Sequence, residues 1–195
     1  YVTNAAAQAL NVGDSKNDVF SYTLKDSDGD FSTTTVTMTV TGGNDAPTIN
    51  AGQSGTVSEE GLANGISDSG TTDATITSGQ FTVSDIDNTE TVTLGIPGVS
   101  LKSGGNDITW ALSNTNHTLT GTAAGQTVIT IDIDNTGKYT TTLLKAIDHP
   151  SGSGQNTQNI PVTVTVSDGS ASATSTLTIT VEDDAPQAAQ INQTI

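Results

Sequence analysis

The sequence predicts an all-β chain folded as an antiparallel β-sandwich. Three observations predict it. Apolar residues alternate with polar ones over many short runs, the pattern of half-buried strands. Clusters of Gly, Asn, Asp and Ser separate these runs, and such residues make turns. No stretch carries a convincing helical apolar period.

Taken in chain order, "DVFSYTL" sets Phe20, Tyr22 and Leu24 on one face, and "TTVTMTV" does the same with Val36, Met38 and Val40. "GQFTVSD" offers Phe81 and Val83, and "TVTLG" offers Val92 and Leu94. "ITWAL" aligns Ile108, Trp110 and Leu112, so Trp110 is expected in the core rather than on a sugar-stacking surface. "HTLTG" and "TVITIDID" follow, then "GKYTTTLL" with Tyr139, Thr141 and Leu143. The last two runs are "IPVTVTV" (Val162, Val164, Val166) and "STLTITV" (Leu177, Ile179, Val181).

Charge narrows the function. The chain has 195 residues and a formal net charge of −16, from 21 acidic residues against 5 basic ones. All the basic residues are lysine. A nucleic-acid partner is excluded on this ground, because phosphate binding needs a basic surface, and an anionic membrane is disfavoured likewise. No apolar run is long enough to span a bilayer, so membrane insertion is not expected, and no signal peptide is visible. Excess like charge repels itself and opposes compaction unless something neutralises it. Cations are the obvious neutraliser; acidity that merely keeps a secreted protein soluble is the alternative. Cysteine is absent, so metal ions are expected where disulfides would otherwise brace an extracellular fold. The chain starts at Tyr1 without a methionine and is expected to be a piece of something longer.

An internal repeat organises the chain. "DVFSYTLKDSDGDFSTTTVTMTVTGGNDAP" (18–47) and "NIPVTVTVSDGSASATSTLTITVEDDAP" (159–186) each read as strand, Asp-Gly hairpin, Thr-rich strand and acidic-Pro linker. Residues 1–47 are thus expected to be the C-terminal part of a truncated or split domain. Residues 48–184 are expected to form one complete domain, and 185–195 a linker and the start of the next.

This arrangement resembles the tandem repeats of giant RTX-type bacterial adhesins exported by type I secretion. Residues 1–47 resemble the end of a VCBS-type repeat. Residues 48–184 resemble the longer adhesin repeat with "EEGL" early (Glu59 to Leu62), "DHP" late (Asp148-His149-Pro150) and a closing "VxDDAP" (Val181 to Pro186). The resemblance implies tandem Ig-like or cadherin-like domains on the bacterial cell surface, serving adhesion and biofilm. It also implies Ca²⁺ at domain junctions, neighbouring domains of the same long chain as partners, and host or surface glycans or proteins reached through other domains.

On an Ig-like sandwich, loops alternate between two ends. One end, beside the 44–47 linker, gathers Asn44 and Asp45 with Asp85 and Asp87 of "SDIDNTE" and Asp168 of "SDGS". The far end gathers Glu59 and Glu60 of "SEEGLANG", Asp148 of "AIDHPSGSG" and Asp183, with Glu182 and Asp184 as further candidates. Ca²⁺ takes six to eight oxygen ligands, which clustered carboxylates supply. Without a cation, two unit charges about 4 Å apart repel by about 4 kcal/mol at an effective dielectric of 20. Cadherin-like domains use a comparable set, and the resemblance gives Asp85-x-Asp87 the junction role and Asp14 a role analogous to that of Asp148.

Some loop Asp and Asn residues read as ordinary turn formers, namely Asp107, Asp134 and Asn135. "DSDGDF" places Asp26, Asp28 and Asp30 at EF-hand spacing, but Phe31 and Thr37 stand where that loop needs Gly and Glu. It reads as a hairpin turn with calcium as a further possibility for the three aspartates. "GGNDI" resembles a single RTX nonapeptide. His149, in a Pro-flanked turn beside acids, reads as an ordering residue rather than a metal ligand or base.

A calcium-stiffened extender module is the first reading, and a calcium-dependent glycan- or peptide-binding module is the alternative. An enzyme is not expected. The pairs Glu59/Glu60 and Asp85/Asp87 suit a glycosidase, but a sugar cleft wants aromatics. The chain has one Trp, three Tyr and three Phe, most of them on core faces.

Overall fold

The computed structural model describes residues 4–67, 73–87, 89–152 and 154–184. The expected linker and next-domain start at 185–195 lies outside the described residues. In chain order the elements are α1 (Ala5–Gln8), β1 (Ser15–Lys25), β2 (Phe31–Thr41), β3 (Thr48–Ile49), β4 (Gln53–Ser58) and a 3-10 turn at Glu59–Gly61. There follow β5 (Ile76–Gln80), β6 (Val83–Ser84), β7 (Thr91–Leu94), β8 (Lys102–Ser103), β9 (Asn106–Asp107) and β10 (Thr109–Ser113). The last are β11 (Thr118–Ala123), β12 (Gln126–Ile133), β13 (Lys138–Leu143), β14 (Thr157–Ser167) and β15 (Ser172–Glu182).

Two sheets face each other across one core. One has the order β10-β11-β12-β13-β5 and the other β4-β15-β14-β7. The pairings are antiparallel except β4 with β15, which is parallel. That exception follows from chain path: β4 runs along the outside of the last strand after crossing from β3, which pairs with β6 at the linker end. The chain is an all-β sandwich of Ig-like arrangement.

Alternation in sequence becomes alternation in burial. In β14, Ile160, Val162, Val164 and Val166 are buried, while Asn159, Pro161 and Thr163 are exposed. β15 contributes Leu177, Ile179 and Val181, and the facing sheet contributes Leu119, Ile129, Ile131, Tyr139 and Leu143. Each buried side chain of this size contributes about 1.5–3 kcal/mol. Trp110 departs from expectation. It packs against the core but is only half-buried, because β10 is the edge of its sheet.

Both bulky rings on this sheet lie across a glycine. Tyr139 pairs with Gly79, and a Cβ there would stand 2.3 Å from the phenol oxygen. Trp110 pairs with Gly121, where a Cβ would stand 2.8 Å from the indole ring. The missing side chain lets each ring lie over the neighbouring strand. The Tyr139 hydroxyl then donates to the Ser54 carbonyl of β4 at 3.1 Å, which ties the two sheets together.

β1 and β2 form a separate long hairpin, in register from Ser15↔Thr41 to Lys25↔Phe31. Its turn is closed by Asp26, whose Oδ1 accepts the Gly29 and Asp30 amides at 2.9 and 2.8 Å. The "DSDGDF" stretch is therefore a hairpin turn. The predicted apolar face exists but, half-buried Val40 apart, it is exposed, from Met38 at 39% to Leu24 at 63%. Among the described residues, no helix is long and apolar enough to cross a membrane.

Candidate metal centre

At the linker end, chain path alone brings four segments together. The β14–β15 hairpin turn, the loop after β6 and the 44–47 linker meet, with α1 close by: Gln8 lines one hollow together with Asp45, Ala46, Ser84 and Asp85. Asn44 Nδ2 donates to Asp168 Oδ2 at 2.8 Å. The Asp45 amide donates to Asp87 Oδ2 at 3.3 Å, and the Asp87 amide donates to Asp85 Oδ1 at 3.1 Å. Asp87 Oδ1 is buried and has no hydrogen-bond partner.

The electrostatics record the crowding. The hydrogen-bonded carboxyl of Asp85 raises the Asp87 carboxyl above its ordinary range, with burial and the charges of Asp85 and Asp45 adding to it. Only the Asp45 amide opposes this. Asp168 goes the other way, lowered first by the Ala171 amide, then by Asn44 and the Ser170 amide. Asp168 is the settled acid of this end, and Asp87 is the one that lacks compensation.

At the far end, Ser58 caps the 3-10 turn by accepting the Glu60 amide at 3.2 Å. The turn carries Glu59 and Glu60 inward, to 4% and 3% exposure. Glu59 Oε1 accepts the Ile147 amide at 2.8 Å and His149 Nε2 at 3.0 Å. Glu60 Oε1 accepts from the Gln155 side chain. One ligand atom each from Glu59, His149 and Asp183 lie within 4.8 Å of one another. Burial is the largest single influence on His149 and favours the neutral ring. The Glu59 hydrogen bond and charge, with the charges of Asp183 and Asp148, outweigh it and raise the pKa.

The remaining candidates are placed as follows. Asp148 stands beside this trio, but its two carboxylate oxygens accept the Gly104 and Gly105 amides at 2.7 and 2.8 Å. Those glycines have φ of +57° and +78°, which the tight β8–β9 turn requires, so "GGNDI" is a hairpin turn held by Asp148. Glu182 ends β15 opposite Thr157, and Asp184 donates its amide to Asp183 Oδ1 at 3.0 Å. Asp14 precedes β1, exposed, its carbonyl accepting from Gly42. Asp26, Asp28 and Asp30 converge within 4.8 Å but are exposed. The Asp28 side chain, then the Asp30 and Gly29 amides, lower Asp26. Asp134 folds its own turn by accepting from Thr136 and Lys138, and Asn135 accepts from the Val92 amide and His117.

The reading from sequence passed over Gln155, and it gave His149 an ordering role. A histidine between an aspartate and a proline, in a loop facing a Glu-Glu pair, was the available signal.

No family model and no curated protein matches the chain. Among solved structures, one of mouse clustered PcdhgC3 EC1-3 aligns over 87% of this chain at 12% identity, with a TM-score of 0.35. The chain spans 55% of that structure's length. The fold assignment rests on the strand pairing described above.

Proposed function

We propose that this chain is a spacer module of a secreted bacterial surface adhesin, stiffened by Ca²⁺ at the 44–47 linker. The observation that supports it is the convergence at Asp87. A linker amide and a second carboxylate bind one side of that residue, while its other carboxyl oxygen is buried without a partner. Carboxylates crowded around a chain junction, with an oxygen left uncompensated, fit a hard dication that takes oxygen ligands. Asn44, Asp45, Asp85 and Asp87 are the residues that would hold it, and the ion would supply the charge that lets the aspartates stay ionised together.

The β1–β2 hairpin has the same length and linker as β14–β15, and it exposes the face that β14–β15 buries. In the proposed assembly it is the closing hairpin of a neighbouring domain, and domains of one long chain are the partners. Extracellular modules commonly bind calcium at about 10⁻⁴–10⁻³ M. Such a site fills outside the cell and stays largely empty in the cytosol, so stiffness sets in after export. The test is thermal melting in millimolar CaCl₂ and in chelator at matched ionic strength. Calcium raises Tm in the wild type, and Asp87→Asn removes most of that rise. Equal Tm in both buffers overturns the calcium reading. Calcium-dependent retention on a glycan array would favour the binding-module alternative.

A further inference from the structure

We propose that Glu59, His149 and Asp183 form a second metal centre, at the opposite end from the linker, which takes a transition-metal dication of the zinc class rather than calcium. The proposal goes beyond the spacer reading and does not rest on it.

Ligand chemistry separates the two ends. The linker end offers carboxylate and carbonyl oxygens. The far end offers an imidazole nitrogen and two carboxylates whose ligand atoms already lie within 4.8 Å of one another. Calcium takes oxygen ligands, whereas imidazole suits zinc, copper and nickel. Zinc bonds of about 2.0–2.2 Å set tetrahedral ligand atoms about 3.3–3.6 Å apart, so side-chain adjustment closes this trio on an ion.

Burial supplies an independent observation. The His149 and Glu59 side chains are only 3% and 5% exposed, and Nε2 is the imidazole nitrogen turned to Glu59. Little water competes for ligands held this deep, and an ion would take the place of the proton between Nε2 and Glu59. Two carboxylates outnumber the one imidazole, so the trio is net negative in either form of the ring, which a dication offsets.

Two of the three ligands are held from outside. The Ile147 amide orients Glu59, and the Asp183 amide is anchored on the Asn156 carbonyl. A three-ligand set leaves zinc a fourth position for water. An open hollow lined by Leu62, Asn64, Lys145 and Asp184 borders the trio at Glu59. Binding displaces any proton on the ligating atoms, so uptake releases protons.

The test titrates Zn²⁺ alone, by calorimetry, into protein freed of metal, first without and then with millimolar calcium. Co²⁺ replaces Zn²⁺ for visible spectra. The expected result is uptake that survives calcium, with cobalt bands of low coordination number. His149→Ala weakens zinc at least about tenfold, since even supporting residues of metal sites cost roughly 10–100-fold. His117→Ala and Asp87→Asn leave zinc uptake unchanged. Should His149→Ala fail to fold, the imidazole NMR signals of the wild type decide: zinc shifts those of His149 and spares those of His117. Zinc uptake unaffected by His149→Ala, displacement of zinc by equimolar calcium, or unshifted His149 signals overturns the proposal. Loss of the calcium response at Asp87 leaves it standing, so the two readings fail separately.

Discussion

Single residues at the two ends differ in how fully their charge is answered. Asp134 is the fully answered case: the Thr136 hydroxyl does most to hold its pKa below the usual carboxylate range, and the Lys138 and Thr136 amides help. A lowered carboxylate stabilises the fold above its unfolded pKa and loses that effect as pH falls through its folded pKa. Asp134→Ala therefore lowers Tm by about 2 °C at neutral pH, the scale of one exposed turn interaction. The gap to wild type closes on acidification below the ordinary carboxylate range, and pH-resolved melting curves check this. Asp134→Asn keeps an acceptor and loses less. This turn role was legible, because Asp-Asn-Thr-Gly between two strands has little else to do. The environment of Asp148 and His149 was not. Adjacent residues in one loop point to different partners, and only the β8–β9 glycine turn, distant in sequence, draws the Asp148 carboxylate away.

Elements show how small residues make room for large ones. Gly79 and Gly121 sit in strand interiors, where glycine weakens a strand unless another group needs the space. Tyr139 and Trp110 take that space. Gly79→Ala is expected to cost about 1–3 kcal/mol, the range for overpacking, and to weaken the Tyr139 link to Ser54. Urea denaturation measures it, and a loss below about 0.5 kcal/mol would refute the argument, since that is the scatter of ordinary surface substitutions. Gly121→Ala costs less, since the half-buried indole on an edge strand can tilt away. Strand existence was legible almost throughout, because alternation needs only local sequence. The parallel β4–β15 pair was not, because Thr56 and Val57 alternate alike whichever direction their neighbour runs. Trp110 shared its predicted face with Ile108 and Leu112, yet its burial depended on β10 lying at the sheet edge.

At the scale of the molecule, a formal charge of −16 sets the response to ions. Sodium chloride screens general repulsion, whereas a bound dication acts at the junction. With ionic strength matched, calcium is expected to reduce the flexibility of the chain about residues 44–47 in small-angle scattering, and Asp85→Asn combined with Asp87→Asn is expected to abolish that change. Equal flexibility profiles with calcium and with chelator count against the stiffening role. The exposed β1–β2 face predicts association too: Tyr22→Thr with Leu24→Thr is expected to lower self-association in sedimentation, because exposed apolar rows seek cover. By itself the sequence determined the all-β class, the strand runs, most of the residues that face the core from β7 onward, and the grouping of acids at two loop ends. These follow from local alternation and from strands reversing direction at each turn. The tertiary structure alone decided which acids end in contact, that Asp87 keeps a buried oxygen without a partner, and that His149 stands with Glu59 and Asp183. Side-chain contacts between residues as far apart in the chain as Glu59 and His149 depend on sheet order, register and loop path, and local sequence carries none of these.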